Sequence, residues 1–437
     1  MTKKSLSIIT LGCPKNQVDS EKLASALSYS FIVEHEKEVA DYIIINTCSF
    51  ILPAKEETIN TILDYIELKK QGLVEKIIVT GCMAQLYKKD LLDNLPEIDM
   101  IFGLSEYDKL LKTLTKNQNI NISNERILST PNHYAYLKIA DGCDHSCSFC
   151  TIPTIRGAYK SIPMEDLINE AKNLAHKGVK ELILIAQDTT YYGIDIYHKQ
   201  KLPELLDTLA SLNLFSWIRL LYTYPINFPM ELIDVYNARK SIVPYIHLPL
   251  QHCDDKILDN MRRPFGQEAI TNLIKILRTS IADLAIRTDF IAGYPLETNK
   301  EFNKLKNFIK EMNFERMGIF EYSIEENTSA ALLPQHGDKL KIKRTQELMD
   351  LHAELSLSRN RSLIGKNLKV MIDDKLDDNL YEARSQWDVP EIDQVVFVNS
   401  NIELQSGQVV DVYINDAGNF DLSGELVSGR QGEEVDK

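Results

Sequence analysis

The chain has no long hydrophobic run, few cysteines and no surplus of positive charge, and each shortage removes a class of protein. No stretch of its 437 residues approaches the roughly 20 apolar residues that cross a bilayer. No membrane partner is therefore expected. Seven cysteines, an odd number spread over that length, are too sparse for a disulfide framework and fit a reducing cytoplasm. With 49 Lys and Arg against 63 Asp and Glu, the formal net charge of -14 removes general affinity for a nucleic-acid backbone, DNA included, and favours a basic partner. Lys3 and Lys4 before an apolar run ending at Cys13 imitate a secretion signal, but that run is too short and reads as a first strand, so the expected location is cytoplasmic. The length suits two to four domains with sizeable cores.

Three of the cysteines stand together in Asp141-Gly-Cys143-Asp-His-Ser-Cys147-Ser-Phe-Cys150, after an apolar run at 134–140. A four-iron cubane needs four ligands, so three thiolates leave one iron open to something other than protein. A zinc knuckle would need a second cysteine pair or histidines at fixed offsets, and His145 falls inside the loop. The Cys-x-x-x-Cys-x-x-Cys spacing resembles the signature of the radical S-adenosylmethionine (SAM) enzymes. That resemblance implies that the amino and carboxylate groups of SAM take the open iron.

Three further cysteines share a different regularity. Apolar runs at 5–10, 41–46 and 75–80 end near Cys13, Cys48 and Cys82, spaced 35 and 34 residues apart, and helical patterns such as 54–70 follow them. Strand, cysteine, helix repeated three times predicts an open parallel α/β sheet whose carboxyl edge gathers the three thiols. One buried cysteine is an ordinary core residue; three in the same phase point to a second three-cysteine iron-sulfur site. Gly12 and Gly81 would let backbone approach it. Cys253 has no such phase and is expected to be incidental.

After a polar linker at 116–124, strand-like runs at 134–140, 181–186, 217–222, 244–248, 285–292 and 314–322 alternate with helical patterns at 164–177, 203–212 and 297–312. Six such repeats predict a partial (β/α)6 barrel with its chemistry at the carboxyl ends of the strands. Those ends carry Gln187 and Asp188, Arg219 and Tyr222, His247, Gln251 and His252, and Arg287 to Asp289. Gln187 is a candidate hydrogen-bonding contact for SAM. Arg219, inside an apolar run, needs a buried partner such as the SAM carboxylate. Five short strands at 367–372, 380–384, 394–398, 408–414 and 420–427 then predict a small antiparallel β-barrel of OB type. The span 363–437 holds six Lys and Arg against sixteen Asp and Glu. That is the wrong sign for phosphate contacts and suits either a basic protein partner or simple solvation.

Taken whole, the chain resembles the methylthiotransferases: a three-cysteine domain at 1–125, a radical SAM barrel at 130–360 and a TRAM module at 363–437. The motifs Leu11-Gly-Cys13-Pro-Lys-Asn-Gln-Val-Asp-Ser-Glu21, Ile185-Ala-Gln-Asp-Thr-Thr190 with Tyr192-Gly193, Tyr322-Ser-Ile-Glu-Glu326 and Val389-Pro-Glu-Ile-Asp393 place it nearest the branch that acts on a ribosomal protein. The resemblance implies methylthiolation of the β-carbon of an aspartate of ribosomal protein uS12, free or in the small subunit. It also implies two [4Fe-4S] clusters, two SAM per turnover, an electron donor and a sulfur source. Phe149 would lie near the adenine of SAM. Leu296 and Asn327 stand where the family commonly has glycine, and Gln394 replaces a glycine at a surface expected to meet the partner. Two rivals follow from the same residues. One is a methylthiotransferase acting on tRNA of the N6-isopentenyladenosine type; the other is a non-catalytic iron-sulfur or zinc protein that binds ribosomes.

Overall fold

The computed structural model describes residues 3–120 and 124–427. The middle of the 116–124 linker and the end of the acidic 363–437 segment lie outside the described residues. The first sheet contains β1 (Ser5–Thr10), β2 (Ile32–His35), β3 (Tyr42–Thr47), β4 (Lys76–Gly81) and β5 (Met100–Ile101). Its order is β2-β1-β3-β4-β5, and every neighbouring pair is parallel. Parallel strands covered on both faces read as continuous apolar runs. Accordingly Ile43, Ile45, Ile77 and Val79 fill one core while Ile8, Ile44 and Ile78 fill the other. The outer strands β2 and β5 were not expected. An edge strand needs no continuous apolar run, and Ile32 is itself exposed.

Six parallel strands form the central barrel wall: β6 (Tyr134–Lys138), β7 (Glu181–Ile185), β8 (Trp217–Leu220), β9 (Ile242–His247), β10 (Ala285–Ala292) and β11 (Arg316–Glu321). Their spatial order follows the chain, as right-handed crossovers dictate. Surrounding helices cover one face in a single large core that also contains the buried Cys253. The concave face carries Tyr134, Tyr136, Ile183, Trp217 and Tyr245. Met371 and Val389 of the C-terminal module enter that same core and close the amino end of the barrel.

The C-terminal module is a closed five-stranded barrel of β12 (Asn367–Asp377), β13 (Leu380–Ser385), β14 (Val395–Asn399), β15 (Val409–Ala417) and β16 (Asp421–Leu426), in the order β12-β13-β14-β16-β15. It departs from a fully antiparallel barrel in one pair, since β14 and β16 run parallel. Four of its acidic residues meet the central domain. His133 Nε2 lies 2.7 Å from Asp373, Tyr134 donates to Glu391 at 2.8 Å, Arg316 donates to Asp388 at 2.6 Å and Tyr245 donates to Asp393 at 2.9 Å. Gln394, expected at a partner surface, is instead buried and donates to Ser356 Oγ at 2.6 Å. Ser356 belongs to the unanticipated helix Asp338–Arg361, which packs against β11 and reaches β15. Among the described residues, no helix is long and apolar enough to cross a membrane.

Candidate active site

The ends of β1, β3 and β4 deliver Cys13, Cys48 and Cys82 to one edge of the first sheet. Cys13 precedes helix α1 (Pro14–Leu27), and Cys82 opens the short helix Cys82–Leu86. The three thiols lie within electrostatic range of one another. Gly12 has φ +90° and a Cβ there would stand 2.7 Å from Cys48 Sγ; at Gly81, with φ +95°, it would stand 2.6 Å from Thr47 N. Only glycine makes room for this convergence. Asn16 ties the loops together, donating to Leu11 O at 2.9 Å and Thr47 O at 3.0 Å, while Cys82 Sγ donates to its Oδ1 at 3.7 Å. Burial pushes the Cys48 thiol up and the Cys82 thiol up to about 12. Thiolates here need a bound cation to stabilise them.

The loop after β6 carries Cys143, Cys147 and Cys150, again within electrostatic range of one another. Cys143 N donates to Gly157 O at 3.1 Å and Cys150 N to Cys147 O at 3.2 Å, and Ile152 N donates to Cys150 Sγ at 3.4 Å. Burial pushes the Cys143 and Cys150 thiols up to about 12. His145 has a positioning role: its Nε2 lies 2.7 Å from Asp188 Oδ2 and its ring stacks on Tyr224 at 4.1 Å. Arg263 supplies positive charge, with Nη1 3.8 Å from Cys147 Sγ and the guanidinium 4.6 Å above Tyr224. Among the described residues, no three His, Cys, Asp or Glu side chains are gathered closely enough to hold one metal ion. A multi-iron cluster asks something different, since each cysteine takes its own iron.

The three residues expected to contact SAM separate in the structure. Phe149 packs, half-buried, against Ile257, Met261, Tyr294 and Tyr322 beside the second triad, with Leu296 in the same group. Gln187 Nε2 lies 3.4 Å from Asp141 Oδ1, and its buried Oε1 has no partner among the described residues. Arg219 is different. It is fully buried, and the carboxylate it meets is Glu181, 2.7 Å away; Nη1 donates to Gln386 O of the C-terminal module at 2.7 Å. Glu181 also pairs with Arg384. The need for a partner was read correctly, but the protein itself supplies it.

Charged groups join the two triads. Arg156 Nη1 reaches Asp141 at 2.9 Å and Asp19 at 3.2 Å, and its Nη2 donates to Asn16 Oδ1 at 2.6 Å. Lys138 pairs with Asp141 at 3.0 Å and also with Asp19. Beside this network Lys15 Nζ lies 3.4 Å from the centroid of the Tyr222 ring, and burial pulls its ammonium down to about 8. His247 and Asp289 are 2.7 Å apart next to Tyr222. Lys15 and Asn16 lie within the first motif quoted above, where they passed as family signature alone. Arg156 and Arg263 carry no comparable sequence signal.

Comparison with known proteins accords with this arrangement. Residues 5–103 match an uncharacterized protein family, UPF0004, residues 137–309 the radical SAM superfamily and residues 364–427 the TRAM domain. The chain is 43% identical over 427 residues to the ribosomal protein uS12 methylthiotransferase RimO of Christiangramia forsetii, covering 97% of this chain and 95% of that one. It is 45% identical to the RimO of Thermoanaerobacter sp. X514, covering 97% and 100%. The chain belongs to the RimO family. It is accordingly a methylthiotransferase of the radical SAM class, which works with SAM and a [4Fe-4S] cluster. Among solved structures, the radical SAM methyltransferase TsrM of Kitasatospora setae shares the fold, with a TM-score of 0.55 at 13% identity over 76% of this chain and 77% of that one. Two departures from the RimO family are absorbed locally. Asn327 adopts φ +65°, a conformation asparagine tolerates, and Leu296 joins the apolar group around Phe149.

Proposed function

We propose that this chain methylthiolates the β-carbon of an aspartate of ribosomal protein uS12. Cys143, Cys147 and Cys150 would hold a SAM-binding [4Fe-4S] cluster, and Cys13, Cys48 and Cys82 a second one. When bound, the first would supply the reducing electron for SAM cleavage and the second would serve as the source of sulfur for the transfer. The carrying observation is that one continuous network, Asn16–Arg156–Asp141–Lys138–Asp19, links Asn16, which accepts from Cys82, to Asp141, two residues before Cys143. The chain's own residues set this geometry. His145 and Asp188 hold the second loop, Arg263 sets a guanidinium 3.8 Å from Cys147 Sγ, Gln187 presents toward SAM an acceptor that is unpaired among the described residues, and Phe149 supplies an apolar wall. An electron donor and a sulfur source complete the turnover.

The exposed Asp374, Asp377, Asp378, Glu403, Asp411 and Asp416 of the C-terminal module favour a basic protein over a phosphate backbone. The test offers anaerobically reconstituted protein, SAM, sulfide and a reductant to uS12 and to tRNA side by side. A methylthio group on an aspartate of uS12 supports the reading. Modified tRNA would transfer the substrate to the tRNA-acting relatives, and colourless, zinc-loaded protein would remove the enzyme reading altogether.

A further inference from the structure

We propose that the seam between the first domain and the last strand of the barrel wall is the docking surface for the acceptor segment of the substrate, a stretch with basic and apolar side chains; this rests on the function proposed above. The Tyr322-Ser-Ile-Glu-Glu326 motif builds that seam. Leu52 N, four residues after Cys48, donates to Ser323 Oγ at 3.4 Å, and Lys55 pairs with Glu325 at 2.7 Å. The same segment runs on to the other triad, where Ala330 N donates at 2.8 Å to the carbonyl of Ser148, between Cys147 and Cys150. Ser323 and Glu325 thus hold the first domain, while the alternate residues Ile324 and Glu326 are left exposed. One segment borders both triads.

The outer side of the seam is apolar and acidic together. Phe50 and Leu52 of the first domain, and Phe320 and Ile324 of the barrel, are between 45% and 57% exposed. Phe320 follows Gly318 by two residues and shares its face of β11. A Cβ at Gly318 would stand 2.9 Å from Phe320 Cε2 and run into Asp289 Oδ1, so the ring stands at the barrel mouth. Apolar side chains exposed together beside a reaction site mark a surface that a partner covers. Charge selects the partner. Residues 49–58 and 319–331 contain one lysine and five glutamates. Lys55 is taken by Glu325, and Lys341, which donates to Tyr322 O, by Asp338 at 2.8 Å. Glu56, Glu57, Glu321 and Glu326 remain exposed. Such a rim repels a phosphate backbone, whereas lysine or arginine flanking an apolar stretch answers both of its features.

The test measures anaerobic binding of uS12 to the reconstituted full chain with SAM, to a charge reversal (Glu321→Lys with Glu326→Lys) and to a polar replacement (Leu52→Ser with Ile324→Ser). Iron content, SAM affinity and sedimentation are measured on each. Both pairs are expected to weaken uS12 binding by about ten-fold. The charge reversal alone should also flatten the salt dependence of binding, and iron, SAM affinity and mass should hold in both. In the unsubstituted protein, amide hydrogen exchange at 50–58 and 319–330 should slow when uS12 is added. Unweakened binding by either pair would overturn the assignment, as would exchange at those residues unmoved by bound uS12, a reading that stands even if a variant loses iron. A dimer of the unsubstituted protein that the polar replacement dissociates would overturn it too, giving the patch to a second copy of the chain. Binding and modification of tRNA in place of uS12 by the unsubstituted protein would instead sink the underlying function.

Discussion

Glu181 shows how a single residue decides what its neighbours are for. It is fully buried between Arg219 and Arg384. Replacing it with leucine leaves Arg219 buried without its carboxylate and Arg384 with Asp373 alone, a change that costs about 3–5 kcal/mol. Urea denaturation of Glu181→Leu should show that loss, while SAM affinity stays unchanged; a collapse of SAM binding with stability intact would return Arg219 to the cofactor. The cysteines divide in the same way. Alanine at any of Cys13, Cys48, Cys82, Cys143, Cys147 or Cys150 is expected to reduce bound iron from about eight to about four per chain and to abolish methylthio transfer. Cys253→Ala should keep both, because its thiol lies in the core of the barrel wall. At this scale the sequence announced the cysteines through spacing. It did not announce the partner of Arg219, because a distant carboxylate leaves no local pattern.

Elements were legible where burial is apolar. The runs ending at Cys13, Cys48 and Cys82 are strands because isoleucine and valine face two cores at once. The helix Asp338–Arg361 was not legible because its buried face includes Lys341, Arg344, Thr345, His352, Ser356 and Asn360, which break any apolar periodicity. That face carries a pH dependence. Burial, then the charges of Arg316 and Arg359, pull the imidazole of His352 down to about 4 from the ordinary 6.5. Between those values the unfolded chain binds a proton that the folded chain refuses, so stability is full above pH 6.5 and falls as pH drops toward 4. The loss should reach about 2 kcal/mol by pH 5. Thermal melts at pH 7 and pH 5 should draw together in His352→Gln; an undiminished gap would mean that another group carries the acid sensitivity.

On the scale of the whole molecule, the three sheets depend on one another through charge as much as through apolar contact. The inward carboxylates of the C-terminal module answer Arg287 and Arg316 of the barrel wall. A chain ending at Ser362 should therefore bind a hydrophobic dye and melt at lower temperature, as Tyr134, Trp217 and Tyr245 and both arginines lose their cover; an unchanged melt would make the module a mere appendage. The acidic composition of this module was plain in the sequence. Its division between an inner face that neutralises the barrel and an outer face exposed to solvent depends on which side of each strand a carboxylate occupies, and an acidic count does not carry that information.

The division of labour between the two triads is tested most directly by mass spectrometry of uS12 and of the SAM-derived products after anaerobic incubation with the unsubstituted protein, Cys82→Ala and Cys147→Ala. The unsubstituted protein should add a methylthio group to the β-carbon of one aspartate. Cys82→Ala should still cleave SAM reductively yet leave uS12 without added sulfur, and Cys147→Ala should do neither. Full transfer by Cys82→Ala, or reductive SAM cleavage by Cys147→Ala, would contradict the assignment of the two sites.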